Sequence, residues 1–241
     1  MNAMISPVHG ELLVSPDRCL RFSVFEPAEA SAVSATVVFI PGFKGFKDWG
    51  GWPWFCSLLA SAGYRVVSMN PTMCGVGPAL TEFDEPQKFA QQTLSHDVQD
   101  LTALLHSDRI AAGKPAFLMG HSRGGIVAAL SSARISADQG AGGECHLRGV
   151  ITLGTPHDLL RLSAEEIDHW RQSGCREIIN ARTGEVLRQE LSVLEDYQAR
   201  AEEYDPVRAL SEAGTPFLGI HGSADPAVAA DSLEILFAGT D

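Results

Sequence analysis

Apolar positions fall along this chain in two alternating rhythms. Continuous apolar runs at residues 35–40, 64–69, 116–119, 149–153 and 216–221 read as strands, and Ala35–Ile40 is apolar enough to be buried on both faces. Between them lie stretches of helical period, 54–62 ending at Gly63, 88–107 and 125–135. In the second of these Leu94, Val98, Leu101 and Leu105 are four, three and four apart, which makes one apolar helix face. Ahead of this series, 11–14 and 19–25 are extended runs joined by Ser15-Pro16-Asp17-Arg18, a turn sequence, and predict a hairpin. Residues 70–85 hold Pro71, Gly75, Gly77 and Pro78 and predict a long irregular loop near a site. The alternation predicts an α/β protein with a mostly parallel central sheet flanked by helices, and ligand groups at the C-terminal ends of the strands.

One segment departs from the rhythm. Residues 159–204 are charge-rich and helical in pattern, with Trp170, Ile178, Leu187 and Leu191 set among Glu and Arg and no obvious strand pair. They predict a helical insertion, about residues 157–205, that caps the site within one domain.

The chemistry enters at Gly120-His121-Ser122-Arg123-Gly124, between the run 116–119 and the helical segment with Ile126, Val127 and Leu130. A serine on a sharp strand-to-helix turn needs residues without side chains two before and two after it, so that the backbones can pass; Gly120 and Gly124 meet this. The turn presents the Ser122 hydroxyl above the sheet, and the following helix aims free N–H groups and its positive dipole end at an oxyanion formed there. Pro41-Gly42-Phe43, Thr155-Pro156-His157 and His221-Gly222 also sit just past predicted strand ends.

Charge and composition narrow the function. The chain has 241 residues and a formal net charge of −12, which disfavours nucleic acid and anionic membrane as partners and favours a small molecule. Its five cysteines are scattered, without Cys-x-x-Cys spacing, as in a reducing compartment. No run approaches the roughly 18 apolar residues of a membrane span, and Met1-Asn2-Ala3-Met4 does not open a secretory signal; a cytoplasmic protein is expected. Neither a metal site nor a phosphate cradle is present as a motif, and the chemistry of the elbow needs no cofactor.

From residue 35 onward the chain resembles an α/β-hydrolase of the dienelactone-hydrolase-like esterase and acyl-transferring group. The resemblance is carried by Ile40-Pro-Gly-Phe-Lys-Gly-Phe-Lys-Asp-Trp49, by Gly120-His-Ser-Arg-Gly-Gly125, by Asn180-Ala-Arg-Thr-Gly-Glu185 and by His221-Gly-Ser-Ala-Asp225. It implies a serine hydrolase of small carboxylic esters or thioesters, with Ser122 as nucleophile, Asp225 as the acid, and an oxyanion hole of the Phe43 and Arg123 backbone N–H groups. Many relatives begin the loop before Phe43 with His-Gly where this chain has Pro41-Gly42. Lys47 in that loop is read as a solvated surface charge. The resemblance also implies a histidine base after Asp225, beyond one further strand, and residues 226–241 contain none. His121 is the variable position of the elbow and His221 ends a strand, whereas His157, past a strand end, is the alternative base. The competing reading is a hydrolase-fold protein that binds a small acyl or aromatic ligand without catalysis. Trp49, Trp52, Trp54, Phe55 and Trp170 are candidate apolar walls, although most aromatic residues serve the core.

Overall fold

In the computed structural model the run Ala35–Ile40 becomes the middle of a seven-stranded sheet, and all six of its residues are buried. The structure describes residues 4–29, 33–107, 114–140, 146–180 and 183–240, with the side chains of 138–140 excepted. In chain order the elements are β1 (Val8–Ser15), β2 (Arg18–Phe25), β3 (Ala35–Ile40), α1 (Trp52–Ser61), β4 (Tyr64–Asn70), α2 (Pro86–Ala90), α3 (Leu94–Leu105), β5 (Pro115–His121), α4 (Arg123–Gly140) and β6 (His146–Leu153), then α5 (Ala164–Ser173), β7 (Cys175–Ile179), β8 (Val186–Glu190), α6 (Leu191–Ala199), α7 (Pro206–Ala213), β9 (Phe217–Ile220) and α8 (Asp231–Ala238).

The sheet order is β1-β2-β4-β3-β5-β6-β9. The expected hairpin β1–β2 is antiparallel and joins antiparallel to β4, and the other pairs are parallel. Within the continuous apolar run of β3 the strand period of two still sorts the side chains. Val38 and Ile40 enter a large core with α3 and α4, while Val37 and Phe39 enter a smaller one with Cys56 and Ala60 of α1. Crossover helices thus cover both faces, as a parallel sheet requires.

The stretch 88–107 is not one helix. Pro86 starts the short α2 at its favoured first-turn position, and α3 begins afresh at Leu94, where the Thr93 hydroxyl accepts the His96 N–H in a capping box. The four leucine and valine positions of the predicted face are buried.

The insertion also departs from expectation. It holds α5 and α6, but between them β7 and β8 pair as an antiparallel hairpin with Ile178 opposite Leu187. Those two side chains pack with Phe46, Phe83, Phe89 and Phe43, so the hairpin is fixed by the loop after β3 and by the irregular loop 71–85. Beyond its Ile179–Val186 pair, Asn180 N–H donates to Glu185 O at 2.8 Å, and Gly184 takes a left-handed φ of 73°. Ala181 and Arg182 of that motif, like Cys145 and most of the glycine run 140–143, lie outside the described residues.

Lys47 is corrected too. It is 2% exposed, its ammonium lies 2.5 Å from Asp48 Oδ2, and its N–H donates to Asn70 Oδ1 at 2.6 Å. The loop after β3 folds over the end of β4, and the adjacent carboxylate neutralises the charge that this buries.

A second buried pair ties the hairpin to the sheet. Arg18, in the β1–β2 turn region, bonds Asp100 Oδ1 and the Thr72 hydroxyl, and Asp100 Oδ2 accepts the Thr72 N–H at 2.7 Å. Asp100 is fully buried on α3. Removing one partner of such a pair strands the other charge, so Arg18→Ala is expected to cost about 3 kcal/mol in urea unfolding. A loss below about 1 kcal/mol would show that the pair behaves as a surface ion pair.

Candidate active site

β5 ends at His121 and α4 starts at Arg123, leaving Ser122 alone between them at φ 51°. That left-handed conformation is strained for a residue with a side chain and is held here from both sides. Ser122 N–H donates to Leu153 O of β6 at 2.8 Å, and Ser122 O accepts Gly125 N–H at 2.9 Å. The glycines explain the rest of the turn. A Cβ on Gly120 would lie 2.1 Å from Gly124 O, and one on Gly124 would lie 2.2 Å from Ile40 O. The second contact shows what the spacing argument alone did not: the turn is closed against the end of β3 as well as against itself.

The loop leaving β3 runs directly beside the serine. A Cβ built on Gly42 would stand 3.1 Å from Ser122 Cβ, and Gly45 N–H donates to Gly42 O at 2.9 Å, so Phe43 is carried on a tight turn followed by Lys44 at φ 57°. Neither the Phe43 nor the Arg123 N–H donates to a backbone acceptor in the described loops and turns. Phe43, Ser122 and Arg123 border one cavity. Arg123 is also the first residue of an 18-residue helix, where the dipole favours negative charge.

Asp225 follows β9 in a tight loop. Its Oδ1 accepts the N–H groups of Ala227 at 2.8 Å and Val228 at 3.0 Å, and these bonds hold the carboxyl below its ordinary pKa. Its Oδ2 lies 3.3 Å from a Cβ built on Gly154, directly after β6, the strand whose Leu153 carbonyl holds Ser122. Asp225 is therefore at the elbow's end of the sheet. It is within electrostatic reach of His121, whose pKa burial lowers.

The histidines are otherwise engaged. His221 Nε2 donates to Val228 O at 3.0 Å and stays 3.8 Å from Asp225 Oδ2. His157 Nδ1 is 3.1 Å from the Ser232 hydroxyl, which ties it to α8. His121 packs its ring 5.0 Å from that of Trp52. Among the described residues no histidine is hydrogen-bonded to Ser122.

Two cavities flank the elbow. The larger, about 600 Å³, is walled by Trp49, Trp52, Trp54 and Phe55 with His121 and Asn180 at its border, but Ser122 does not line it. The smaller, about 170 Å³, includes Ser122 and is roofed by the insertion through Leu159, Leu162, Trp170 and Val193. Of these two, the smaller is the one that Ser122 lines. Behind Arg123, outside the lining, its Nε donates to Asp97 Oδ2 at 2.8 Å, and Gln92 donates to Asp97 Oδ1 at 2.8 Å. Asp97 was legible only as a carboxylate one position before Val98 on the apolar face of α3; Tyr197 and Gln189, which line the cavity, left no signal in the sequence. No group of three His, Cys, Asp or Glu able to hold a metal occurs among the described residues, and no described helix is long and apolar enough to cross a membrane.

Comparison with known proteins bears on the family and the fold. The profile of the Alpha/beta hydrolase family matches residues 37–240. Among solved structures, a protein of Agrobacterium vitis S4 superposes with a TM-score of 0.71 at 19% identity, over 98% of this chain and 85% of its own. Est1E from Butyrivibrio proteoclasticus gives 0.67 at 14% identity, over 96% and 84%. The alpha/beta hydrolase domain-containing protein 10 of mouse gives 0.67 at 17%, over 96% and 84%. No curated protein matches the sequence significantly.

Gly124→Val places a branched side chain against two backbone carbonyls, those of Ile40 and Pro41. It is expected to lower stability by roughly 3 kcal/mol or more in urea unfolding. Wild-type stability in this variant would show that the turn is not closed on β3.

Proposed function

The chain belongs to the alpha/beta hydrolase family, and from that premise we propose that it is a serine hydrolase that cleaves a small carboxylic ester or thioester through an acyl-enzyme on Ser122. The observation that carries the reading is a single one: Ser122, strained at φ 51°, shares its cavity with Phe43 and Arg123, whose N–H groups have no backbone acceptor in the described loops and turns. An attacking hydroxyl beside two preorganised donors is the arrangement that stabilises a tetrahedral oxyanion.

In this reading the Ser122 oxygen attacks the carbonyl carbon, and the carbonyl oxygen takes up negative charge between the Phe43 and Arg123 N–H groups. The hydroxyl proton passes to a histidine, which returns it to the leaving alkoxide or thiolate; water then repeats the sequence on the acyl-serine. Asp225 is the residue to orient that histidine. Its Oδ1 is held by the loop, and Oδ2 is the oxygen left toward the elbow. The aromatic cavity beside Phe43 supports a leaving group with an apolar body. Est1E, one of the structural relatives, has been solved with ferulic acid bound, and a small aromatic acid ester is a fitting member of the panel to test.

A second reading, a hydrolase fold that binds an acyl or aromatic ligand without turnover, is favoured by one observation, that no described histidine bonds Ser122. A fluorescent organophosphonate separates the two. We expect it to label the wild-type chain and not Ser122→Ala, with p-nitrophenyl esters and acyl thioesters of graded length then ranking the substrates. Equal labelling of both chains, or none in either, overturns the serine-hydrolase reading.

A further inference from the structure

The cavity beside Ser122 holds more hydrogen-bond donors than the protein satisfies. Arg123 is 93% buried and its Nε is paired with Asp97, yet Nη2 has no partner among the described residues. The Tyr197 hydroxyl and the Trp170 indole N–H are equally buried and equally without partners. All three residues line this one cavity. A buried donor left unmade costs about 1–3 kcal/mol, so three around one space need an explanation. Tyr197 is within electrostatic reach of Arg123, and burial pushes its hydroxyl well above the ordinary tyrosine pKa, so it remains a donor.

The charges that line the cavity have one sign. Arg161 and Arg176 line it together with Arg123, and no aspartate or glutamate does. Arg176 stacks its guanidinium 5.8 Å from the Trp170 ring, an arrangement that leaves the edge donors open. The acids just outside the lining have partners in the protein: Asp97 accepts from Arg123 and Gln92, Glu166 from the Ser163 N–H at the start of α5, Asp158 from the Leu160 N–H and Asp196 from the Tyr204 hydroxyl. Glu166 nevertheless stays within electrostatic reach of Arg176, and Asp158 and Asp196 within that of Tyr197. The other walls, Leu159, Leu162 and Val193, are apolar. This is the lining expected for a short hydrocarbon chain that ends in an anion.

We propose that the substrate's acyl group is a short dicarboxylic one, whose free carboxylate is received by Arg123 Nη2, Tyr197 Oη and the Arg176 guanidinium while its ester carbonyl lies at Ser122. The proposal rests on the hydrolase reading for the placement of the carbonyl. The volume of about 170 Å³ sets the length. It corresponds to about six molecules of liquid water, which suits an acyl chain of roughly four to five carbons and its carboxylate. Guanidinium and phenol donors favour a planar carboxylate, and no acid of the lining itself would stand in direct contact with it. The insertion therefore selects substrate by charge, since Trp170, Arg176 and Tyr197 all lie on it.

The test separates binding from turnover. Calorimetry on Ser122→Ala with monomethyl glutarate and with uncharged, chain-matched methyl hexanoate is expected to show a preference of roughly tenfold to hundredfold for the charged ester, the range for a hydrogen bond to an ion. Tyr197→Phe in the same background is expected to lose most of that preference with no change for methyl hexanoate; because the hydroxyl has no partner among the described residues, folding should be unaffected. Arg176→Gln, at the cavity's more exposed side, provides a second variant with the same expectation. Equal binding of the two esters, or a preference that survives both substitutions, overturns the proposal whatever the chain hydrolyses. In the wild type, Ser122-dependent cleavage of p-nitrophenyl hexanoate as fast as that of mono-p-nitrophenyl glutarate overturns the proposal and leaves the hydrolase reading standing. Selective binding of the glutarate ester without Ser122-dependent cleavage of either does the reverse.

Discussion

Backbone passing backbone at the elbow is the constraint on which the rest of this structure depends. Gly120 meets Gly124, and Gly124 meets the carbonyls of Ile40 and Pro41, at distances no side chain tolerates. Strand β5, helix α4 and the exit of β3 are thereby drawn into contact at one point. The contact holds Ser122 in its left-handed conformation and brings Gly42 against it, so that Ser122 and the loop after β3 cannot be moved independently. The surrounding sheet supplies the stiffness. The elbow strand β5 and the loop-bearing β3 are central neighbours in register, Ile40 opposite Gly120.

Around that point the molecule spends buried polar groups in two different ways. Lys47 with Asp48 and Asn70, and Arg18 with Asp100 and Thr72, are closed systems in which the charged groups find partners within the protein. Arg123 Nη2, the Trp170 indole N–H and the Tyr197 hydroxyl are open among the described residues. Closed networks hold loops in place, whereas open ones leave a valence for something that arrives. The insertion contributes Trp170 and Tyr197, and the start of helix α4 contributes Arg123, so the open set is assembled only when the insertion sits over the elbow.

The strands and the elbow were legible because their signals are local. A run such as 35–40 is apolar over its whole length, and Gly120 and Gly124 flank Ser122 at a fixed spacing. The hairpin of the insertion was not legible, since five-residue strands with Ile178 and Leu187 as their only buried apolar positions look like the polar side of a helix when read alone. Their partners, Phe46, Phe83 and Phe89, lie about a hundred residues away in sequence. The burial of Lys47 was hidden for a related reason: its neutralising carboxylate is adjacent, but the fold of the loop over β4 is tertiary. For the site, Ser122, Phe43 and Arg123 come together on one cavity, and Asp225 reaches the same end of the sheet. The donors of the insertion depend on packing that no spacing in the sequence encodes.

Helix α3 carries two buried carboxylates three residues apart. Asp97 grips the guanidinium of Arg123, next to Ser122, and Asp100 grips Arg18 of the N-terminal hairpin. One turn of helix thus stands between Ser122 and two strands far from it in sequence. The family profile begins at residue 37, after that hairpin. The boundary drawn by sequence similarity is therefore not the boundary of the mechanical unit: the smallest piece of this chain that keeps α3 in electrical balance begins before Arg18.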